Sequence, residues 1–168
     1  MISDPLSTAA GTCLPKPEFL KALREVTAEH DILLIFDEIV AFRSAWGGLQ
    51  AVYAIDPDLT CFGKVVGGGF PVGAFGGRSD IMDLFDNSQG PTGFFQSGTF
   101  SAHPMAMAAG LATLEQMTAE NLDRLNRLGT RLKAGLDALF ALESIPAIVV
   151  CTGSVFSLYF SDGPVATY

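Results

Sequence analysis

The stretch Ile32-Leu33-Leu34-Ile35-Phe36-Asp37-Glu38 sets five apolar residues in a row against two acids. An alternating pattern would mark a strand with one wet face; unbroken apolarity after a helix marks a parallel strand covered on both faces. The preceding helix is predicted over 18–30, because Phe19, Leu20, Leu23, Val26 and Thr27 share a face there and Lys21, Arg24 and Glu25 mostly oppose it. The strand itself is predicted over 32–36, and two shorter ones over 59–62 and 72–75, the last set between glycines.

Past Arg78 the pattern turns helical. Ser79 is the expected cap of a short helix through Phe85, with Asp80 in its first turn, and residues 87–98 read as a loop. Pro104 is expected to open a helix over 105–117, whose Ala106, Ala108, Ala109, Gly110 and Ala112 suit close packing. A longer amphipathic helix is predicted over about 119–142, with Leu122, Leu125, Leu128, Leu132, Leu136 and Leu139 on one side. Residues 147–150 and 154–160 are predicted as a closing pair of strands. Helix and strand alternate, long helices follow, then strands: an α/β fold with the start of a second, α+β lobe.

The 168 residues are 49% hydrophobic and 17% charged, yet no apolar run approaches the roughly 18–20 residues of a membrane helix. Such a composition suits buried elements or a surface covered by another chain. A formal charge of −8 carries no basic footprint for nucleic acid. An anionic cofactor would therefore be held locally, by amides, hydroxyls and one or two cations. Cys13, Cys61 and Cys151 are too few and too far apart for a zinc site, so no metal is expected, and an odd count argues against a disulfide framework. Met1-Ile2-Ser3-Asp4-Pro5 does not open like a signal peptide, and reduced thiols and a cytoplasmic location are expected.

Asp37 closes an apolar strand, where ligands of open α/β sheets gather; the alternative is a charged strand end facing water. Lys64 follows the second strand and precedes Gly67-Gly68-Gly69, a backbone able to approach a ligand closely. It suits an anion contact or an amine nucleophile, and it equally reads as a surface lysine. The phosphate loop of nucleotide-hydrolysing enzymes fails here, with Asp58 at its first glycine and Val65 after Gly63-Lys64, and the dinucleotide fingerprint fails at Val72. The Asp37-Glu38 strand end still imitates the metal-binding strand of those hydrolases, which stays open as an alternative.

Taken together, the blocks Ile32 to Ile39, Pro57-Asp58-Leu59-Thr60, Gly63-Lys64-Val65-Val66-Gly67-Gly68-Gly69, Pro71-Val72-Gly73-Ala74-Phe75-Gly76-Gly77 and Ser97-Gly98-Thr99-Phe100-Ser101 closely resemble class-III pyridoxal-phosphate aminotransferases, nearest to the glutamate-1-semialdehyde aminomutase-like and β-amino-acid aminotransferase branch. The resemblance runs from about Asp4 to Gly153. It implies part of the large domain of the fold-type I transferase fold over 1–118, and over 119–168 a long helix and the start of a small C-terminal lobe. It implies that Lys64 holds pyridoxal 5'-phosphate as a Schiff base and that Asp37 pairs with the protonated ring nitrogen. Ile39 would pack under the ring. Thr99, with Gly98 and Ser97, would meet a cofactor phosphate across the interface of a homodimer. The implied reaction moves an amino group from an amino acid or amine to a 2-oxo acid, or within one molecule by 2,1-transfer.

Two departures stand out. Val40-Ala41-Phe42-Arg43 replaces the family's Met-Thr-Gly-Phe-Arg or Gln-Thr-Gly, so Val40 offers no hydrogen bond to the cofactor's phenolic oxygen. His103 stands where Gly-Asn-Pro is commoner and is expected to start a helix, as His30 is expected to end one. Arg43 and Trp46 are expected to border the substrate site. Family members are well over twice this length, which implies a part of a longer enzyme holding part of its site; a non-catalytic fragment is the alternative.

Overall fold

A computed structural model describes residues 1–8, 11–86, 88, 90 and 94–163. Strands β1 (Ile2–Ser3), β2 (Ile35–Asp37) and β3 (Leu59–Gly63) run parallel, and β4 (Gly73–Gly77) returns antiparallel to β3, giving a sheet ordered β1-β2-β3-β4. Ile2 stands opposite Ile35, and Ile35 in turn opposite Leu59. The α/β expectation holds.

Helix α1 (Pro17–Glu29) starts with proline at its first position, where the missing N–H is no loss. It buries Leu20 and Thr27, with Leu23 partly covered, against Leu34, Phe36 and Ile55. Phe19 and Val26, expected on the same face, stay exposed. Each fully buried leucine or phenylalanine here stabilises the fold by roughly 2–3 kcal/mol.

The strand predicted over 32–36 begins three residues later and is only half as deep as expected. Ile32 N–H donates to Thr27 O, Leu33 O accepts from the N-terminal ammonium, and Leu34 N–H donates to the Asp58 carboxylate, so these three groups are engaged outside the ladder, and only Leu34 O reaches β3, accepting from Leu59 N–H at 3.2 Å. Ile32 and Leu33 are exposed; Leu34 and Phe36 are buried on one face, while Ile35 and Asp37 on the other are only partly covered, so the expected burial on both faces is not met. Two elements went unpredicted: a 3-10 turn over Ala41–Ser44 and helix α2 (Gly48–Tyr53), whose six residues are too short to carry a period.

Asp58 joins three of these elements. Its carboxylate accepts from Arg24 of α1 at 2.9 Å, from Leu34 N–H at 2.7 Å and from Arg78, just past β4, at 2.8 Å. Its own carbonyl accepts from Arg78 N–H, and a Cβ on Gly77 would come within 2.1 Å of that oxygen. Burial pushes the carboxyl up, but Arg78, the Leu34 amide and Arg24 together outweigh it and hold it at about 2.

Arg78, not Ser79, occupies the cap of α3 (Ser79–Met82), which makes no side-chain cap bond and continues as a 3-10 turn over Asp83–Phe85. Asp80 instead pairs with Arg78 at 2.7 Å. Part of the loop expected over 87–98 lies outside the described residues. Helix α4 (Pro104–Gln116) follows, and α5 covers Ala119–Leu142 as predicted, capped by Thr118.

The buried stripe of α5 differs from the expected leucine row. Leu122, Gly129 and Phe140 are buried and Asn126, Lys133 and Leu136 partly so, while Leu125, Leu128, Leu132 and Leu139 face outward. The reason is a close approach: a Cβ on Gly129 would sit 2.2 Å from Gly153 O, in the turn between β5 (Ile148–Thr152) and β6 (Val155–Tyr159), the two closing strands, which pair antiparallel. Asn126 also donates to Ser44 O at 2.9 Å, and Val155 packs on the Leu6–Ala41–Leu49 cluster, which seats the hairpin beside the main sheet.

Replacing Asp58 with Asn is expected to cost about 2–3 kcal/mol, at the lower side for a buried pair because Arg78 is half exposed. Because the folded carboxyl lies below its ordinary value of 3.8, its contribution is complete above that value and disappears as pH falls through about 2. Urea unfolding at neutral pH and near the acid limit checks this: the gap between wild type and Asp58→Asn should close in acid.

Glu38 gives a prediction of opposite sign. It is fully buried and caps α2, accepting from Leu49 N–H at 3.2 Å and Gln50 N–H at 2.7 Å. Burial pushes its carboxyl up against the pull of those two amides. A raised folded value makes its contribution fullest below the ordinary glutamate range and loses it as pH rises through the raised value. Glu38→Gln is expected to destabilise by about 1–2 kcal/mol in mild acid, and thermal melts should show that gap narrowing as pH rises.

Candidate active site

Three parallel strands deliver three charged residues to one sheet edge. Ser3 stands opposite Phe36 and Asp37 opposite Cys61, so Asp4 after β1, Asp37 at the end of β2 and Lys64 after β3 all emerge at the carboxyl ends of their strands. That edge is where ligands of open α/β sheets bind. Asp37 Oδ1 accepts from Ile39 N–H at 3.1 Å, which fixes the carboxylate's rotation. The Asp4 carboxyl accepts from Leu6 N–H at 2.9 Å. Desolvation at the edge pushes it up, the Leu6 amide opposes this, Asp37 adds to it and Lys64 again opposes it, so the three groups share one local field. Cys61, beside Asp37, has its thiol pushed up by burial and then by that carboxylate.

Lys64 opens a 3-10 turn (Lys64–Gly67) in the left-handed region, at φ 50°, a conformation that costs a side-chain-bearing residue about 1–2 kcal/mol. Strain of this kind persists where the surroundings enforce it, and it gathers at functional sites. Here α4 does the enforcing. A Cβ on Gly110 would lie 2.3 Å from Val66 O, and one on Gly68 would lie 2.3 Å from Ala109 O, so helix and turn meet backbone to backbone. The expected close packing around Ala106 and Gly110 is realised, with both buried.

A cleft of about 1010 Å³ opens beside this turn. Lys64 and Ile39 line it, with Val40, Arg43, Phe62 and Phe156 among their neighbours. Asp37 is not part of the lining; it stands at the same sheet edge, bonded to Ile39 N–H. A Cβ on Gly63 would meet Ile39 Cγ2 at 3.2 Å, so glycine there lets the isoleucine lie against β3. Phe42 packs edge-on against Phe62 at 5.0 Å. Arg43 lines the cleft and donates to Ser154 Oγ at 3.2 Å across its rim, whereas Trp46, expected beside it, is 66% exposed and outside the lining.

Gly98 and Thr99 are not brought to Lys64. Both line a second cavity of about 700 Å³, together with Phe95, Phe100 and Met107; Ser97 is exposed and outside that lining. His103 caps α4 through its backbone, its carbonyl accepting from Met107 N–H, and its ring lies 6.0 Å from that of Phe100. His30 caps the end of α1.

Sequence reasoning missed Asp4, whose strand of two residues leaves no pattern, and the role of Glu38. The hydrolase alternative would present Asp37-Glu38 to a metal. Instead Glu38 turns into the core, and among the described residues no cluster of acids, histidines and cysteines is placed to hold a metal ion.

Comparison with known proteins bears on the family and the fold. The family model described as aminotransferase class-III matches residues 1–165. A glutamate-1-semialdehyde 2,1-aminomutase 2 of Exiguobacterium sibiricum is 44% identical over 169 aligned residues, covering 100% of this chain and 38% of that protein. The crystal structure of an omega-transaminase from Sphaerobacter thermophilus superposes with a TM-score of 0.92 at 41% identity, over 99% of this chain and 38% of that one. A structure described as a transaminase with PLP bound gives a TM-score of 0.88 at 30% identity, over 94% and 37%. This chain thus spans about two fifths of the length of the relatives it matches. With the fold shared and the family model matching nearly every residue, the chain belongs to the class-III aminotransferase family.

Proposed function

We propose that this chain is the Lys64-bearing part of a pyridoxal-phosphate-dependent amino-group transferase, with 1–118 contributing to the cofactor-binding domain and 119–168 opening the C-terminal lobe. The observation that carries this reading is the convergence of Asp37 and Lys64 on one edge of a parallel sheet, with Ile39 beside them. The residues fit the group: an amine for its aldehyde carbon, a carboxylate for its ring nitrogen and an aliphatic side chain for its ring face.

Pyridoxal phosphate supplies, when bound, an electron sink for the bond broken at the substrate carbon. Asp37 holds a proton at the ring nitrogen, its carboxylate kept in register by Ile39 N–H. Lys64 anchors the cofactor and then moves a proton at its Nζ, held over the cleft by its strained turn. Ile39, Phe62 and the other apolar walls exclude water from that transfer. Val40 offers only aliphatic contact where the family's glutamine would donate a hydrogen bond.

The separation of Thr99 and Gly98 from the Lys64 cleft supports their service to a second copy. The cavity they line adjoins exposed Phe95, Phe100 and Met107, and Leu111 and Leu114 of α4 are also exposed. A homodimer covering that apolar surface would bring Thr99 Oγ1 to the phosphate held by its partner. The substrates are an amino acid or amine and a 2-oxo acid, and the compartment is the cytoplasm.

Incubation of the purified chain with pyridoxal phosphate, borohydride reduction and peptide mass mapping test the proposal. The pyridoxyl label is expected on Lys64 and absent from Lys64→Ala. Label spread over Lys16, Lys21 and Lys133, or no label, would sink it. In the longer protein, Asp37→Asn is expected to lower amino transfer to pyruvate or 2-oxoglutarate on the order of a hundredfold while Lys64 is still labelled.

A further inference from the structure

The ends of β1 and β2 carry the same device twice. Asp4 follows β1 as Asp37 closes β2, and in each the carboxylate Oδ1 accepts from the amide two residues on, Leu6 N–H at 2.9 Å and Ile39 N–H at 3.1 Å. Ser3 stands opposite Phe36, so the next step along each strand brings Asp4 to the level of Asp37. Neighbouring parallel strands in register send side chains of one level to the same face, about 4.8 Å apart. Two carboxylates turned alike thus stand side by side, where an acid beside a base would be the stabilising choice.

The fold holds them there. Pro5 and Leu6, which follow Asp4, are fully buried, and Leu6 packs on Ala41 and Leu49. The amide that orients Asp4 is therefore anchored in the core, while the Asp4 side chain stays exposed at the sheet edge. Among the described residues the ion pairs engage neither acid. The groups that face Asp4 are Asp37 on β2, Glu38 behind it in the core and Lys64 past β3, with the Cys61 thiol opposite Asp37.

Shaping the loop does not call for an acid, since the side-chain oxygen of an asparagine would accept from the Leu6 amide equally well. What asparagine lacks is the charge. A negative charge beside Asp37 makes a proton harder to remove from whatever Asp37 pairs with.

We propose that Asp4 is a positioning residue acting through Asp37, a second carboxylate whose charge strengthens Asp37's hold on the proton at the cofactor's ring nitrogen; this rests on reading this edge as the amino-transfer site.

The first arm of the test needs no cofactor. Carbon-13 NMR of the side-chain carboxyls follows the Asp4 titration in the chain. Its midpoint is expected above the ordinary 3.8, to fall by about half a pH unit in Asp37→Asn and to rise in Lys64→Ala. An Asp4 midpoint unmoved by Asp37→Asn would overturn the pairing. The second arm loads the chain with pyridoxal phosphate labelled with nitrogen-15 in the ring. Asp4→Asn, which keeps the Leu6 bond and removes the charge, is expected to weaken proton binding at that nitrogen on the order of threefold, its signal in alkali lying nearer the deprotonated position than in wild type. Asp4→Glu should recover part of the difference. Coincident signals in wild type and Asp4→Asn would overturn the role and leave Asp4 as a loop-shaping residue. Coupling of Asp4 to Asp37 without a pyridoxyl label at Lys64 would sink the transferase reading and the role of Asp4 with it, whereas a label at Lys64 without that coupling would sink the role of Asp4 alone.

Discussion

The Asp58 carboxylate is the constraint on which the rest of this fold hangs. It receives one hydrogen bond from the helix that precedes the central strand, one from the backbone that leads into that strand and one from the arginine that follows the antiparallel return strand. A single buried acid therefore sets the distance between α1, β2 and β4. With that end of the sheet closed, the opposite end, where Asp4, Asp37 and Lys64 emerge, inherits its alignment from the ladder. Breaking one partner of such a group leaves the others desolvated and uncompensated, which is why one residue can matter to three elements.

A second buried acid serves the other end. Glu38 follows Asp37 directly, and the alternation of side chains along a strand sends one carboxylate to the binding edge and the next into the core. The inward one ties down the amides of α2 and so fixes the segment from Ile39 to Arg43 that forms one wall of the cleft. Neighbouring acids that look alike in sequence thus have unlike tasks. The outward one lies at the strand-end edge with Lys64, and the inward one holds one wall of the adjoining cleft.

The long helix was readable from periodicity because it spans enough residues to repeat a pattern, while β3 and the two closing strands were readable as short apolar runs. β2 was readable as an apolar run but not in extent, since Ile32, Leu33 and Leu34 spend their backbone bonds on a helix carbonyl, the chain's own ammonium and the Asp58 side chain. The stripe of α5 was misjudged because Gly129, not a leucine, makes the closest approach to the hairpin, and hydrophobic pattern does not register a backbone contact. Asp37 and Lys64 could be singled out only as parts of several blocks in fixed order. Asp4 could not be, because it enters through pairing across 33 residues, Ile2 with Ile35. That Gly98 and Thr99 line a different cavity from Lys64 is likewise a fact of space.

The meeting of α4 with the Lys64 turn has a bearing on how such a site can diversify. A Gly110 Cβ would lie 2.3 Å from Val66 O and a Gly68 Cβ 2.3 Å from Ala109 O, so α4 supports the lysine's turn chiefly through main chain, with the Val72 side chain against Gly67. Side chains elsewhere on the cleft, at Val40, Val65 or Phe156, can be exchanged without touching that support. A lineage carrying this arrangement can try new cleft walls while the turn that carries Lys64 stays where it is. The tolerance ends at the two glycines, where any added carbon would displace the turn itself.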